Sequence, residues 1–321
     1  MSFRARCRQT DMTVAELQDE RAFAAVVERH RGELHVHCYR MLGSYEEAED
    51  LTQETFLRAW RKRETYAQRA SLRAWLYRIA TNACLDALEK RPKTPAPNGE
   101  ITWLQPFPDA VAAPLDEDVF ARETVELAFM VAIQHLAPRP RAVLILRDVL
   151  GWRARDCAEL LETTEAGINS ALQRARAGLK EHLPKERGEW TAEGSARERE
   201  LLDRYMALCE AGDARGIKVL MHEDARFSMP PAPEVYYGSE TIVNSWAEGG
   251  FGTEEFGHCR CVATRTNRQP ATANYLRPPG ADEYTLAAVD VLRIEDGLIT
   301  DVTAFYGPAL NAFDLPRTLP V

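Results

Sequence analysis

Leu150-Gly-Trp-Arg-Ala-Arg-Asp-Cys-Ala-Glu-Leu-Leu-Glu-Thr-Thr-Glu-Ala-Gly-Ile-Asn-Ser-Ala-Leu-Gln-Arg-Ala-Arg-Ala-Gly-Leu179 reads as two short helices around a tight turn at Glu162–Thr164. Ala158, Leu161, Ile168 and Leu172 fall at the spacing that buries one stripe of each helix. The second helix then presents Asn169, Ser170, Gln173, Arg174 and Arg176 on its free faces. Amide and guanidinium side chains on a helix suit base edges and phosphates in a major groove. An ordinary αα-hairpin with a polar face uses the same pattern, so this stretch alone does not decide between them. Gly167 costs this helix about 1 kcal/mol relative to alanine.

Upstream, residues 13–92 have helical periodicity. Val14, Leu17, Phe23, Val26 and Val27 open an apolar stripe that Leu34, Cys38 and Leu42 continue, and Gly43-Ser44 breaks it. Ser44-Tyr-Glu-Glu has the spacing of a capping box and predicts a second helix from about Tyr45. Ala48, Leu51 and Leu57 form its expected seam, with Phe56 and Trp60 on an adjacent face. Its charge runs from acidic (Glu46, Glu47, Glu49, Asp50, Glu54) to basic (Arg58, Arg61, Lys62, Arg63). That order complements the helix dipole. A third helix carries Leu72, Leu76, Ile79 and Ala83. Between Arg58 and Arg78 stand seven basic residues and one acid, with Trp60, Tyr66, Trp75 and Tyr77 interleaved. Such a mixture fits phosphates and unstacked bases, and it equally fits an aromatic core under a solvated basic face.

Six prolines between residues 91 and 114 exclude a helix or central strand there and predict an extended linker over 93–114. Helical pattern resumes over 115–185, with breaks at Ala137-Pro138 and Leu150-Gly151. A hydrophilic joint, 186–196, leads to a helix at 197–211. Strand-like runs follow at 225–229, 259–266, 284–294 and 298–306, the last two flanking the hairpin signal Glu295-Asp-Gly297. Helix followed by antiparallel strands predicts a small α+β domain over 197–321.

The 321 residues are 45% apolar and 28% charged, as in soluble multidomain proteins. The sequence contains neither a spanning apolar run nor an apolar leader, and a cytoplasmic protein with no membrane association is expected. The net charge of −9 is uneven. Residues 1–187 carry 28 basic and 28 acidic side chains, and residues 188–321 carry 12 and 21. Seven cysteines without a C-x-x-C spacing argue against a disulfide framework. His258-Cys259-x-Cys261 lacks a fourth ligand, so no metal site is expected.

Taken together, Asp50-Leu-Thr-Gln-Glu-Thr-Phe56, Ala74-Trp-Leu-Tyr-Arg-Ile-Ala-Thr-Asn82 and Ser170-x-Leu-x-Arg-Ala-Arg176 resemble the strings of extracytoplasmic-function (group 4) RNA polymerase sigma factors. The resemblance covers residues 13–185. Trp103-Leu-Gln-Pro-Phe-Pro-Asp109 resembles the linker of the subgroup with a C-terminal SnoaL-like domain, which residues 197–315 would form as a cone-shaped α+β barrel. The fold class implied is multidomain. Two all-α sigma domains are expected, a core-binding and −10 domain and a helix-turn-helix −35 domain, followed by that barrel.

The resemblance also implies roles. Asp50, Gln53, Glu54 and Phe56 match the face that docks on core RNA polymerase. Arg61, Tyr66, Arg73, Arg78 and Asn82, with the loop 66–71, match the surface that opens the −10 element. Asn169, Ser170, Gln173, Arg174 and Arg176 match the helix that reads the −35 element. The linker would thread the polymerase cleft, with Asp109, Asp116, Glu117 and Asp118 suited to a channel built for polyanions. Residues 1–12 are expected to be weakly ordered. The implied function is promoter-specific transcription initiation, regulated by the protein's own C-terminal domain, with no cofactor and no catalysis. The alternative is a SnoaL-type small-molecule enzyme or ligand sensor fused to a DNA-binding module. It would use His222, Arg226 and Asp290 as acid and base, or a ligand pocket lined by Phe227, Trp246, Tyr284 and Phe305. Core packing explains the same aromatic residues.

Overall fold

Gly43 and Ser44 make the first corner of the chain. Gly43 takes φ 72°, a left-handed conformation that suits glycine. Its N–H donates to Tyr39 O and closes α1 (Glu20–Leu42). The Ser44 hydroxyl accepts from Glu47 N and opens α2 (Tyr45–Arg61), as the capping pattern predicts. Ser71 caps α3 (Leu72–Lys90) in the same way, through Ala74 N. The computed structural model describes residues 19–66, 71–91, 101–112, 121–183 and 195–321. Residues 1–12, the loop 67–70, Asp116–Asp118 and most of the joint 186–196 lie outside the described residues.

The chain forms two compact units. The first contains α1–α3 and residues 133–181. Leu34, Val36, Cys38, Leu76, Ala80 and Cys84 build its core. The seam of α2 departs from expectation. Ala48, Thr52, Thr55, Phe56 and Ala59 are buried, whereas Leu57 is 52% exposed. The expected seam put Leu57 inside, and the structure inverts that pair. Thr52 and Thr55 go inward because their hydroxyls donate back to Ala48 O and Leu51 O, leaving only methyl groups to pack.

In the second half of this unit, α7 (Pro138–Leu144) runs into a π-helical turn, Ile145–Val149. Then come α8 (Ala154–Leu160) and α9 (Glu165–His182). Arg141 is buried and ties the unit's two sequence segments together. It donates to Met41 O, to Gln134 O at 2.8 Å and to Leu136 O at 2.9 Å.

The second unit contains residues 101–112, 121–132, 182–183 and 195–321 among those described. Its helices are α4 (Asp109–Ala112), α5 (Arg122–Val125), the start of α6 (Leu127–Gln134), α10 (Ala196–Glu210), α11 (Ala214–Leu220) and α12 (Ser239–Glu248). The single turn α4 lies within the stretch expected to exclude a helix, in the proline-free interval between Pro108 and Pro114. The strands β1 (Met221–Ser228), β2 (Val235–Tyr237), β3 (His258–Thr266), β4 (Gln269–Arg277), β5 (Glu283–Glu295) and β6 (Leu298–Tyr306) form one mixed sheet. Their order is β2-β1-β6-β5-β4-β3, with β7 (Thr318–Pro320) beside β5. Among the described strands only the β1–β6 pair is parallel. Leu201, Tyr205, Ile217, Phe227, Ile242, Leu292 and Val302 make the core between helices and sheet.

The Asp296-Gly297 hairpin forms as read, with φ of 50° and 79°. A second hairpin of this kind joins β3 to β4 without a glycine at its tip. Asn267 and Arg268 take φ of 54° and 60° between Thr266 and Gln269, the two-residue turn in which both residues are left-handed.

Candidate nucleic-acid interface

The turn between α8 and α9 is set by Glu162 at φ 53° and by Thr164, whose hydroxyl accepts from Gly167 N at 3.0 Å. A Cβ on Gly167 would lie 2.8 Å from Thr163 Oγ1, so this glycine buys a close approach of the turn to the helix. Ile168, Leu172 and Ala175 are buried, which turns Asn169, Ser170, Gln173 and Arg174 outward on adjacent faces. Arg174 Nη1 donates to Ser170 Oγ at 2.8 Å, one turn apart. Arg176 is aimed elsewhere. Its guanidinium makes a bidentate pair with Asp148 at 2.7 and 2.8 Å. Four of the five residues expected to read DNA therefore share one surface, and the fifth braces the π-turn.

The basic–aromatic surface of α2 and α3 divides similarly. Arg61 and Asn82 are exposed. Arg73 Nε donates to Glu33 Oε2 at 2.7 Å and its guanidinium lies over the Tyr77 ring. Burial works to raise the Glu33 carboxyl, but the bond from His30 and the Arg73 charge hold it below its ordinary value. Arg78 Nη2 donates to Glu162 Oε1 at 2.7 Å. Tyr66 is buried, with its ring 5.4 Å from Trp75, and is packed rather than open to a base. Trp60 packs on Phe23 at 5.0 Å, and the Arg63 guanidinium lies over its ring.

On α2, Asp50 and Gln53 are exposed, and Glu54 pairs with Arg58 at 2.7 Å. Phe56, expected on this face, is in the core. Leu57 stands in its place, one turn from Gln53 and Glu54. An exposed leucine beside a carboxylate row is the residue that periodicity missed, because apolar type alone assigned it inward.

In the second unit, His222, Arg226 and Asp290 do not converge. His222 Nδ1 accepts from Asp224 N, and Arg226 pairs with Asp301 at 3.0 Å. Phe227 beside it turns to the core, so Arg226 and Asp290 occupy opposite faces of the sheet. Asp290 is buried with Tyr205 and Asn274. The expected aromatic pocket also separates. Phe227 and Trp246 are in edge contact at 5.2 Å. Tyr284 instead lies under the guanidinium groups of Arg260 and Arg277, and Phe305 follows Ala304, a core residue, onto the other face. Among the described residues no cluster of three or more His, Cys, Asp or Glu side chains is arranged to hold a metal ion.

The linker is held by the β3–β4 turn. Asn267, fully buried, accepts from Phe107 N through Oδ1 at 2.8 Å and donates to Val125 O through Nδ2 at 2.5 Å. Its own N–H donates to Phe107 O at 2.9 Å. Arg268 N donates to Asp109 Oδ1 at 2.9 Å, and Leu127 N to Gln269 Oε1 at 3.0 Å. Pro108 bridges Thr266 in antiparallel register. Three consecutive residues of one turn thus grip linker residues 107–109 and the backbone at 125–127.

A helix-turn-helix with an exposed reading face, a basic helical surface and a mixed-sheet domain define a modular DNA-binding protein of transcription. Family models match in the same order: Sigma-70 region 2 over residues 26–94, Sigma-70 region 4 over 126–179 and a SnoaL-like domain over 202–302. The chain is 40% identical over 325 residues to the ECF RNA polymerase sigma factor SigG of Mycobacterium tuberculosis, covering 95% of this chain and 87% of that protein. It is 28% identical over 280 residues to SigJ of the same species, covering 82% and 84%. The crystal structure of Mycobacterium tuberculosis SigJ shares the fold, with a TM-score of 0.64 and 23% identity across 91% of this chain and all of that one. The chain belongs to the extracytoplasmic-function RNA polymerase sigma factors, which direct promoter-specific transcription initiation, and it carries a SnoaL-like domain at its C-terminal end.

Proposed function

We propose that this protein binds core RNA polymerase in the cytoplasm through the α2 face, opens the −10 element with the α2–α3 surface and reads the −35 element with α9. Its SnoaL-like domain regulates that work through the linker, without catalysis of its own. The observation that carries the regulatory part is the grip of Asn267, Arg268 and Gln269 on residues 107–109 and 125–127. Residues 107–109 belong to the segment expected to thread the polymerase cleft, so barrel and polymerase contend for one strand of chain. Asp109 illustrates the contest. Its carboxylate caps Arg268 N and lies 3.6 Å from Arg265 Nε, partners it must exchange when it faces the enzyme.

Run-off transcription with core polymerase tests this reading. Full-length protein, Asn267→Ala and a 1–187 truncation are compared on one promoter. Removing the grip and removing the domain should change transcript yield in the same direction. Equal yields from all three would overturn the regulatory reading, and absence of promoter-dependent transcript from all three would overturn the rest.

A further inference from the structure

The helical unit packs its two promoter-reading segments against each other. Region 4 is anchored on the close of α1. The buried Gln134 amide donates to Arg40 O at 3.1 Å, and Arg141 donates to Met41 O. Gly43 permits this approach, since a Cβ there would lie 3.0 Å from Gln134 Cδ. Region 4 also lies over the surface of α3 that is assigned to the −10 element. The Trp152 ring sits 5.4 Å from that of Tyr77, which is fully buried, and the Glu162 carboxylate takes Arg78 at 2.7 Å.

Glu162 is poorly matched to its own backbone. Its φ of 53° is left-handed, a conformation that glycine or asparagine adopts with less strain. What glutamate adds at this position is a carboxylate, and that carboxylate is spent on Arg78. It offers the guanidinium what a DNA phosphate would offer, an anionic oxygen acceptor. The spacing of the two surfaces is the second observation. Asn169 to Arg174 lie seven to twelve residues beyond Glu162, about 10–18 Å at 1.5 Å per helical residue. The reading face of α9 is therefore within about 30 Å of Arg78. Positions −10 and −35 are about 25 base pairs apart, roughly 85 Å of duplex at 3.4 Å per pair. DNA of that length is far shorter than its persistence length of about 150 base pairs, so bending does not close the gap.

We infer that the helical unit is a self-masked state, in which Trp152 and Glu162 of region 4 cover the −10 surface of region 2 and Glu162 stands in the place of a phosphate. To engage both elements the two regions must part by roughly 50–60 Å. The inference rests on the proposed division of promoter reading between the α2–α3 surface and α9. The Arg78–Glu162 pair is well exposed and therefore weak, so it positions the mask without fastening it. The buried bonds of Gln134 and Arg141 to the end of α1 do the fastening, and they sit away from both reading surfaces. A partner that holds the regions apart releases the anchor and the mask together.

The test places a donor and an acceptor dye on full-length protein at Asp86 and Glu159, exposed positions outside both reading surfaces. Non-natural side chains carry the dyes, so the native cysteines are spared. Energy transfer should be high in the free protein and fall at least five-fold when core polymerase and promoter DNA are added. In Trp152→Ala, transfer in the free protein should fall, and binding of a −10 single strand should rise several-fold. Low transfer in the free wild type, unchanged transfer in a complex that yields run-off transcript, or unchanged strand binding by a folded Trp152→Ala would each overturn the inference. The wild-type transfer decides this even if the variant fails to fold. Absence of promoter-dependent transcript from the unlabelled protein would overturn the division of promoter reading, and this inference with it.

Discussion

The Arg78 guanidinium and the Glu162 carboxylate meet at 2.7 Å across 84 residues of sequence. One belongs to the surface assigned to the −10 element and the other to the turn of the helix-turn-helix. Arg78 cannot serve this carboxylate and a phosphate together. Glu162→Gln should therefore raise affinity for a −10 oligonucleotide several-fold, as read by fluorescence anisotropy. Both side chains are well exposed, so stability should change by no more than about 1 kcal/mol. Unchanged affinity would show that the pair does not restrain Arg78.

Phe56 and Leu57 are neighbours with opposite duties, and mutation should separate them. Phe56→Ala removes a buried ring and should destabilise the helical unit by roughly 3–5 kcal/mol. Leu57→Ala should leave the melting temperature nearly unchanged and weaken association with core polymerase. Reversing Asp50 and Glu54 together should abolish co-elution with core polymerase. Retained co-elution in both the leucine and the charge variants would remove α2 from the docking surface.

Arg174→Ala should reduce transcription from a promoter with an intact −35 element and leave core binding as it was. A bidentate contact of this kind contributes roughly 1–3 kcal/mol of discrimination. Arg176→Ala should behave differently, since its guanidinium is committed to Asp148. Its effect should fall equally on promoters with and without the element.

Asp290 gives the sheet domain a pH dependence. Burial raises its carboxyl to about 6, against the bonds from Tyr205 and Asn274, both of which go to Oδ2. The folded protein therefore holds this proton where the unfolded chain has released it. The stabilising contribution of the neutral acid is complete below the unfolded value near 3.8 and is lost as pH rises to about 6. Asp290→Asn should accordingly stabilise the protein at pH 7–8, by on the order of 2 kcal/mol, and make little difference at pH 4. Denaturant unfolding at the two pH values measures this, and a difference that is larger at pH 4 would contradict it.

The helical unit was largely legible because its signals are local. Ser44 and Ser71 cap helices, Gly43 ends one, and Ile168 and Leu172 orient the reading helix by spacing alone. The α2 face was misread where local type and packing disagree. Thr52 and Thr55 hide their hydroxyls within the helix, so polar residues line the seam and Leu57 is left outside. In the sheet domain the readable hairpin had Asp-Gly at its tip. The Asn267-Arg268 turn lacks the glycine that marks such turns, and Pro270 disguised the start of β4. The linker grip was out of reach for another reason. Asn267 meets Phe107 only after the chain has folded, and no pattern within either segment announces the other.

Hairpin tips are ordinarily where a protein accepts foreign sequence, since little depends on them. The β3–β4 tip is a receptor whose three residues are all engaged by another part of the same chain. A peptide tag spliced between Thr266 and Gln269, or new termini opened there by circular permutation, would cost the domain its hold on residues 107–109. The sheet itself would remain. The two tight turns of this domain are alike in backbone, but in the tolerance of insertion they differ as a lock differs from a hinge pin.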